Sequence, residues 1–134
     1  MKVSRAHERP ASAVPAQWFT GEVSLVPVIE APEPARLRAS VVTFQPGART
    51  NWHTHPLGQT LYVISGHGRA QRAGEPVVEF GPGDVLWFAP GERHWHGAAP
   101  DEAMTHVAMQ EAEGGSHIEW ADPVSDADYL GETG

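Results

Sequence analysis

Two short segments hold most of the side chains able to do chemistry. The first, Gly47-Ala-Arg-Thr-Asn-Trp-His53-Thr-His55-Pro-Leu-Gly-Gln59, sets two histidines two positions apart. On an extended strand such residues point to one side, so both imidazoles enter the same cavity. The turn Pro56-Leu57-Gly58 can return the side-chain oxygen of Gln59 to that cavity. The second segment runs from Gly83 to His96, closes with Pro90-Gly91, and offers His94 and His96 as another same-face pair. Neutral imidazole is the commonest metal ligand. With 0 cysteines in the chain, a set of histidines and an amide oxygen suits Mn, Fe, Ni, Cu or Zn rather than a thiophilic ion. One alternating pair is ordinary on a strand; two pairs, each behind a glycine-rich turn, point to a metal centre.

The elements that must position these residues read as β throughout. Val23 to Ile29, Arg38 to Phe44, Thr60 to Ile64, Gly68 to Arg72, Val77 to Phe80, Asp84 to Phe88 and Ala103 to Met109 each form a short strand-like run. Turn signals such as Pro46-Gly47, Ser65-Gly66, Gly81-Pro82-Gly83 and Pro90-Gly91 separate them. Short strands with turns every 8 to 12 residues or so indicate a sandwich or small barrel, not βαβ units. Residues 1–17 read as a loosely held N-terminal arm, or as an edge strand for a neighbouring subunit. Residues 18–112 read as the barrel domain and 113–134 as an acidic tail with a short helix. Ser125 is placed to cap that helix, Gly131 to stop it, and Trp120, Tyr129 and Leu130 to pin it on the body.

Composition narrows the function classes. The chain has 134 residues, enough for one domain with a core of its own, and 14 glycines and 12 prolines favour many tight turns. The absence of cysteine excludes disulfides, a thiolate nucleophile and an iron–sulfur cluster. No run reaches the roughly 18 apolar residues of a membrane helix, and no signal pattern opens the chain, so a cytoplasmic protein is expected. Of the formal charge of −8, Met1 to Gln110 carries 10 acidic and 9 basic residues, a net of −1, whereas Glu111 to Gly134 carries 7 acidic residues and no Lys or Arg. The acidity is that of a solvated tail, and nothing here fits a nucleic-acid surface.

The two histidine segments resemble the cupins. Gly47, His53, His55, Gln59 and Gly66 stand at the spacing of that family's first motif, with Gln in place of its usual Glu. Gly83, Gly91 and His94 match the second motif, which is broken at Ala89 and Ala98, where Pro and Asn are usual. The resemblance implies an all-β double-stranded β-helix barrel holding one divalent metal per chain through His53, His55, Gln59 and His94. Gln59 would leave the ion one negative charge short of the usual cupin, which favours anionic ligands and withdraws support from higher oxidation states. It could instead only hydrogen-bond to the ligands. Over nearly the whole chain, stretches such as Trp18-Phe-Thr-Gly21, Trp52 to Leu61 and His94 to Pro100 are similar to the small bacterial cupins that act as manganese-dependent hydroxynitrile lyases on (R)-cyanohydrins such as mandelonitrile.

That resemblance implies a small-molecule substrate, manganese as the first choice of metal, and a homodimer or homotetramer. Cyanohydrin cleavage needs a group that takes the hydroxyl proton and returns it to cyanide, and histidine titrates near working pH. His96 shares the parity of His94. His106 lies on the last strand with Ala108 and Gln110 on the same side, while Ser40, Val42 and Phe44 form a further same-face set. His96 or His106 is therefore the expected acid–base group, with the other orienting it, and the remaining residues are expected to line the pocket. His7, His67 and His117 are expected at the surface. Trp52, Trp87 and Trp95 have the opposite parity and belong to a core or a subunit interface. Arg49 belongs to a rim salt bridge or to an anionic substrate. Other metal-dependent chemistry (an isomerase or a dioxygenase) and a non-enzymatic small-ligand binder are the alternative readings, because one fold hosts many functions.

Overall fold

The computed structural model describes residues 1–132. The final two positions of the expected tail, 133–134, lie outside the described residues. Thirteen strands carry the fold: β1 (Ser12–Ala13), β2 (Phe19–Thr20), β3 (Val23–Glu30), β4 (Leu37–Phe44), β5 (Arg49–Thr50), β6 (His53–Thr54), β7 (Gln59–Gly66), β8 (Gly68–Arg72), β9 (Val78–Phe80), β10 (Val85–Phe88), β11 (His94–Ala98), β12 (Met104–Glu111) and β13 (Glu119–Trp120). One short helix, α1 (Asp126–Tyr129), follows. Each strand-like run of the sequence is a strand here, because β-branched and aromatic residues favour the pleated surface and Gly/Pro turns end it.

The strands form two antiparallel sheets facing each other. The first has the order β1-β3-β4-β12-β7-β10. The second has the order β13-β6-β11-β5-β2, and the β8–β9 hairpin joins it through β11. No helix among the described residues is long and apolar enough to cross a membrane.

Alternation decides what faces the interior. On β12, Met104, His106 and Ala108 are buried while Thr105 and Val107 are only partly so. On β7 the buried set is Gln59, Leu61 and Val63. Phe44, Leu61, Val63, Phe88 and Met104 belong to one core cluster, and the buried histidines pack directly against its aromatic rings. A second cluster lies outside β11, where Trp95, Trp52, Val124 and Tyr129 pack together and bury both faces of that strand. Two glycines allow close chain approaches. Gly66 has φ +73°, and a Cβ there would sit 1.8 Å from the Ala103 carbonyl oxygen. At Gly97 a Cβ would lie 2.3 Å from the Ala48 oxygen, where β11 crosses β5.

The termini differ in detail from expectation. The N-terminal arm lays β1 on the edge strand β3 of its own sheet, Ser12 opposite Leu25. Trp120 pairs with His53 through β13, so the tail enters the second sheet. Ser125 accepts from the Asp128 amide, as a capping residue should. Tyr129 is buried, but Leu130 is 49% exposed and pins nothing. Arg49 is turned away from the cavity: it bonds the Val124 carbonyl and Asp126, with its guanidinium over the Tyr129 ring. It fastens α1 to the barrel through the salt bridge to Asp126 and does not line the cavity, which favours the salt-bridge expectation over an anionic substrate.

Candidate metal centre

His53, His55 and Gln59 come from β6, the following turn and the start of β7, while His94 and His96 come from β11. Antiparallel pairing sets His94 directly opposite His53. The ring centroids of His53 lie 4.3 Å from His94, 5.0 Å from His55 and 5.3 Å from His96. Phe88 stacks on His94 at 3.7 Å and 11°, fixing its plane. The ring nitrogens of His53, His94 and His96 lie within 4.8 Å of one another. His55 stands beside this cluster, its ring 5.0 Å from His53 and 5.7 Å from His94, and Gln59 Oε1 lies 3.2 Å from His94 Nε2. His96 therefore takes the third place in the cluster, where His55 is expected.

The hydrogen bonds fix the tautomers. His53 Nδ1 lies 2.9 Å from the Asn51 carbonyl, and His94 Nδ1 lies 2.8 Å from that of Glu92. His55 Nδ1 bonds the His117 carbonyl. A carbonyl only accepts, so each Nδ1 carries the hydrogen and each Nε2 is left with a bare lone pair. The His55 Nε2 is buried with no partner. That of His94 faces the Gln59 side-chain oxygen at 3.2 Å, two acceptors turned toward each other. Such a set is repulsive alone and fits a divalent cation, with backbone carbonyls orienting the imidazoles from behind. Burial keeps the rings neutral and ready to ligate: it lowers His55 to about 4 and His94 to about 3. Burial, reinforced by His94 and His55, holds His53 well below the ordinary imidazole value.

Beside this set, His106 Nε2 and His96 Nδ1 are 3.0 Å apart. The outer nitrogens of this pair, His96 Nε2 and His106 Nδ1, are buried and have no partner. Phe44 packs against both rings at 5.8 Å and 5.3 Å. Burial brings His106 down to about 4, and burial, with His106 beside it, holds His96 well below the usual imidazole range.

A cavity of about 350 Å³ opens beside these groups, lined in part by His53, His55, Gln59, His96 and His106. Ser40, Val42, Phe44, Ala108 and Gln110 all contribute to its wall, as their strand parity predicts. Its lining includes no Asp, Glu, Lys or Arg, so histidine is the only acid–base residue type on its wall. Strand parity does not reveal its lid: Val14 and Pro15 from the arm, Trp18 where the barrel begins, and Ile118 and Trp120 from the tail. Trp18 and Trp120 stack at 5.4 Å and 10°. His117 corrects the expectation of a surface residue. It lines the cavity, its carbonyl holds His55, and its ring bonds Arg38 at 2.8 Å. No local periodicity marks these residues, since they meet the barrel only through long-range closure. Trp87 lies 65% exposed on β10 of the first sheet, whereas Trp52 and Trp95 are core.

The family described as "Cupin domain" matches residues 40–109, the span that carries every expected ligand. This chain belongs to the cupin family. The cupin is 54% identical, over 129 residues, to an (R)-mandelonitrile lyase of Granulicella tundricola, an alignment covering 96% of this chain and 98% of that protein. A cupin-like protein of Thermotoga maritima has a similar structure at TM-score 0.85 and 35% identity, covering 94% of this chain and 95% of that one. A polyketide cyclase of Streptomyces resistomycificus shares the fold at TM-score 0.75 with 20% identity, over 96% and 90% of the two chains.

Proposed function

We propose that this cupin is a metal-dependent hydroxynitrile lyase that cleaves and forms cyanohydrins of aromatic aldehydes, mandelonitrile being the model substrate. One observation carries the reading: a pair of hydrogen-bonded buried histidines faces an apolar, charge-free cavity beside a set of bare imidazole nitrogens. The 54% identity to an (R)-mandelonitrile lyase supports the same chemistry. His53, His55, Gln59 and His94 would hold one divalent ion, manganese by preference. When bound, the ion would supply Lewis acidity toward the substrate oxygen or the departing anion.

The chain's own residues account for the proton. His96 Nε2, free of any partner, accepts the hydroxyl hydrogen of the cyanohydrin. The bond between carbinol carbon and nitrile carbon then breaks, its electron pair leaves with cyanide, and the carbonyl forms. His96 returns the proton to cyanide, so aldehyde and hydrogen cyanide depart with no net redox change. His106 holds the His96 ring through the 3.0 Å contact. Trp18, Phe19, Leu25 and Trp120 offer an aryl group its wall, and no charged side chain competes for water in the lining.

The test is incubation of manganese-loaded protein with mandelonitrile, following benzaldehyde release. Release no faster than in the metal-free control would sink the lyase assignment. Metal analysis of His53→Ala and His94→Ala should find the ion lost, and full occupancy in His94→Ala would overturn that ligand. Turnover undiminished in His96→Ala would move the acid–base role to His106.

We also infer a homodimer. Val26, Val41, Val107, Tyr62 and Val85 lie in one cross-strand row on the outer face of the first sheet. Beside them Ile64 and Trp87 are 48% and 65% exposed. Apolar rows of this kind are characteristic of subunit contacts. Sedimentation should give a dimer that Trp87→Arg dissociates; a monomer for the unaltered protein would remove the inference.

A further inference from the structure

We infer that Gln110 is a positioning residue that keeps the side-chain oxygen, rather than the amide nitrogen, of Gln59 turned toward the metal centre. The inference rests on the metal reading above. A carboxylate presents an oxygen whichever way it turns, but a primary amide has an acceptor end and a donor end of nearly equal shape. In this chain the fourth ligand position is such an amide, so something must decide which end faces the ion.

Left to itself, the amide would turn the wrong way. The imidazoles of His53, His55 and His94 aim bare Nε2 lone pairs into the centre, because their Nδ1 hydrogens are committed to backbone carbonyls. Before a cation enters, three acceptors would attract the NH2 group of Gln59 and repel its oxygen. The observed arrangement is the reverse. Gln59 Oε1 faces His94 Nε2 at 3.2 Å, and Gln59 Nε2 donates to Gln110 Oε1 at 3.0 Å.

Backbone register places the two amides within reach, and Gln110 is found with its oxygen as the end turned to Gln59. Gln110 on β12 and Gln59 on β7 are direct cross-strand partners, so their side chains leave the sheet side by side on its inner face. Gln59 is 5% exposed, and water has little access to replace the acceptor that Gln110 provides. Gln110 itself lines the cavity and approaches the metal centre only through Gln59. Removing its acceptor frees the amide to flip, and the ion then meets a donor where it needs an oxygen. Partners of metal ligands commonly govern affinity by about 10- to 100-fold.

The test is Mn(II) affinity of the full-length, metal-stripped protein, measured by calorimetric titration without substrate, with thermal melting to verify folding. Gln110→Leu is expected to weaken binding about tenfold. Gln110→Glu, which can only accept, should bind at least as tightly as the unaltered protein. In a Gln59→Glu background, where both terminal atoms are oxygens, adding Gln110→Leu should change affinity by less than about threefold, because no amide remains to orient. Unchanged affinity in Gln110→Leu alone overturns the inference, as does an equal loss in both backgrounds, which would mean general damage to the cavity. Failure of the unaltered protein to bind Mn(II) would overturn the metal reading as well. Absent lyase activity with this pattern intact would reject the lyase reading alone.

Discussion

Five histidines sealed inside one small barrel make the metal-free protein sensitive to acid, and the size of the effect follows from their burial. His53, His55, His94, His96 and His106 are all at most 3% exposed. Burial lowers His55 and His106 to about 4 and His94 to about 3, against 6.5 in an unfolded chain. The folded values lie below the unfolded one, so the unfolded chain binds more protons whenever the pH falls below about 6.5. Stability is therefore full above that pH and is lost progressively as the pH drops toward the folded values. At about pH 5 the unfolded histidines are almost wholly protonated and these three folded ones almost wholly neutral, which costs about 2 kcal/mol for each. The three together cost about 6 kcal/mol, before His53 and His96 add in the same direction, and a domain has only about 5–15 kcal/mol in all. The assay is urea denaturation of chelator-treated protein at pH 8, 6.5 and 5, followed by tryptophan fluorescence. The midpoint should move down sharply over the lower interval and little over the upper one. A loss below about 1 kcal/mol between pH 8 and 5 would show that the cluster accepts protons without penalty, refuting the burial argument.

Three further perturbations have definite outcomes. Gly66→Ala must place a methyl 1.8 Å from the Ala103 oxygen at a φ of +73°, and should cost more than about 3 kcal/mol, read as a collapsed melting temperature or insoluble protein. Tyr129→Phe removes the hydroxyl that donates to the Ala98 carbonyl, which should destabilise by about 1–2 kcal/mol in denaturant melts while metal content stays unchanged. Trp18→Ala opens the lid of the cavity by deleting one ring of the Trp18–Trp120 stack. Steady-state kinetics on mandelonitrile should then show KM raised about tenfold with kcat little changed, and a fall confined to kcat would contradict a binding role for that wall.

Strands and turns were readable in the sequence because their causes are local. A β-branched run such as Arg38 to Phe44 states its own conformation, and Pro46-Gly47 states where it must end. Parity along those strands likewise assigns Ser40, Val42 and Phe44, or His106, Ala108 and Gln110, to one face, and each of these residues reaches the cavity wall. The period of two holds whatever the rest of the chain does. His117 shows where such reasoning stops. It sits in a segment with no regular period, and its role comes from a bond to His55, 62 residues away in the chain. Arg49 forms the salt bridge expected of it, but its partner Asp126 is 77 residues distant, in a helix whose docking nothing near Arg49 announces.

The sequence by itself therefore determined the alternation, the turn positions, and the shared face of His53 with His55 and of His94 with His96. Those properties follow from backbone geometry within a few residues of each side chain. Only the tertiary structure decided which nitrogen of each imidazole is bare, how the Gln59 amide is turned, and what closes the cavity. The carbonyls that fix His53 and His94 are local, Asn51 and Glu92 two residues back, whereas chain closure delivers His117, Gln110, Trp18 and Trp120 from other strands and from both ends. A pattern of residue types can say that ligands meet; the hydrogen bonds behind them say which atoms they present.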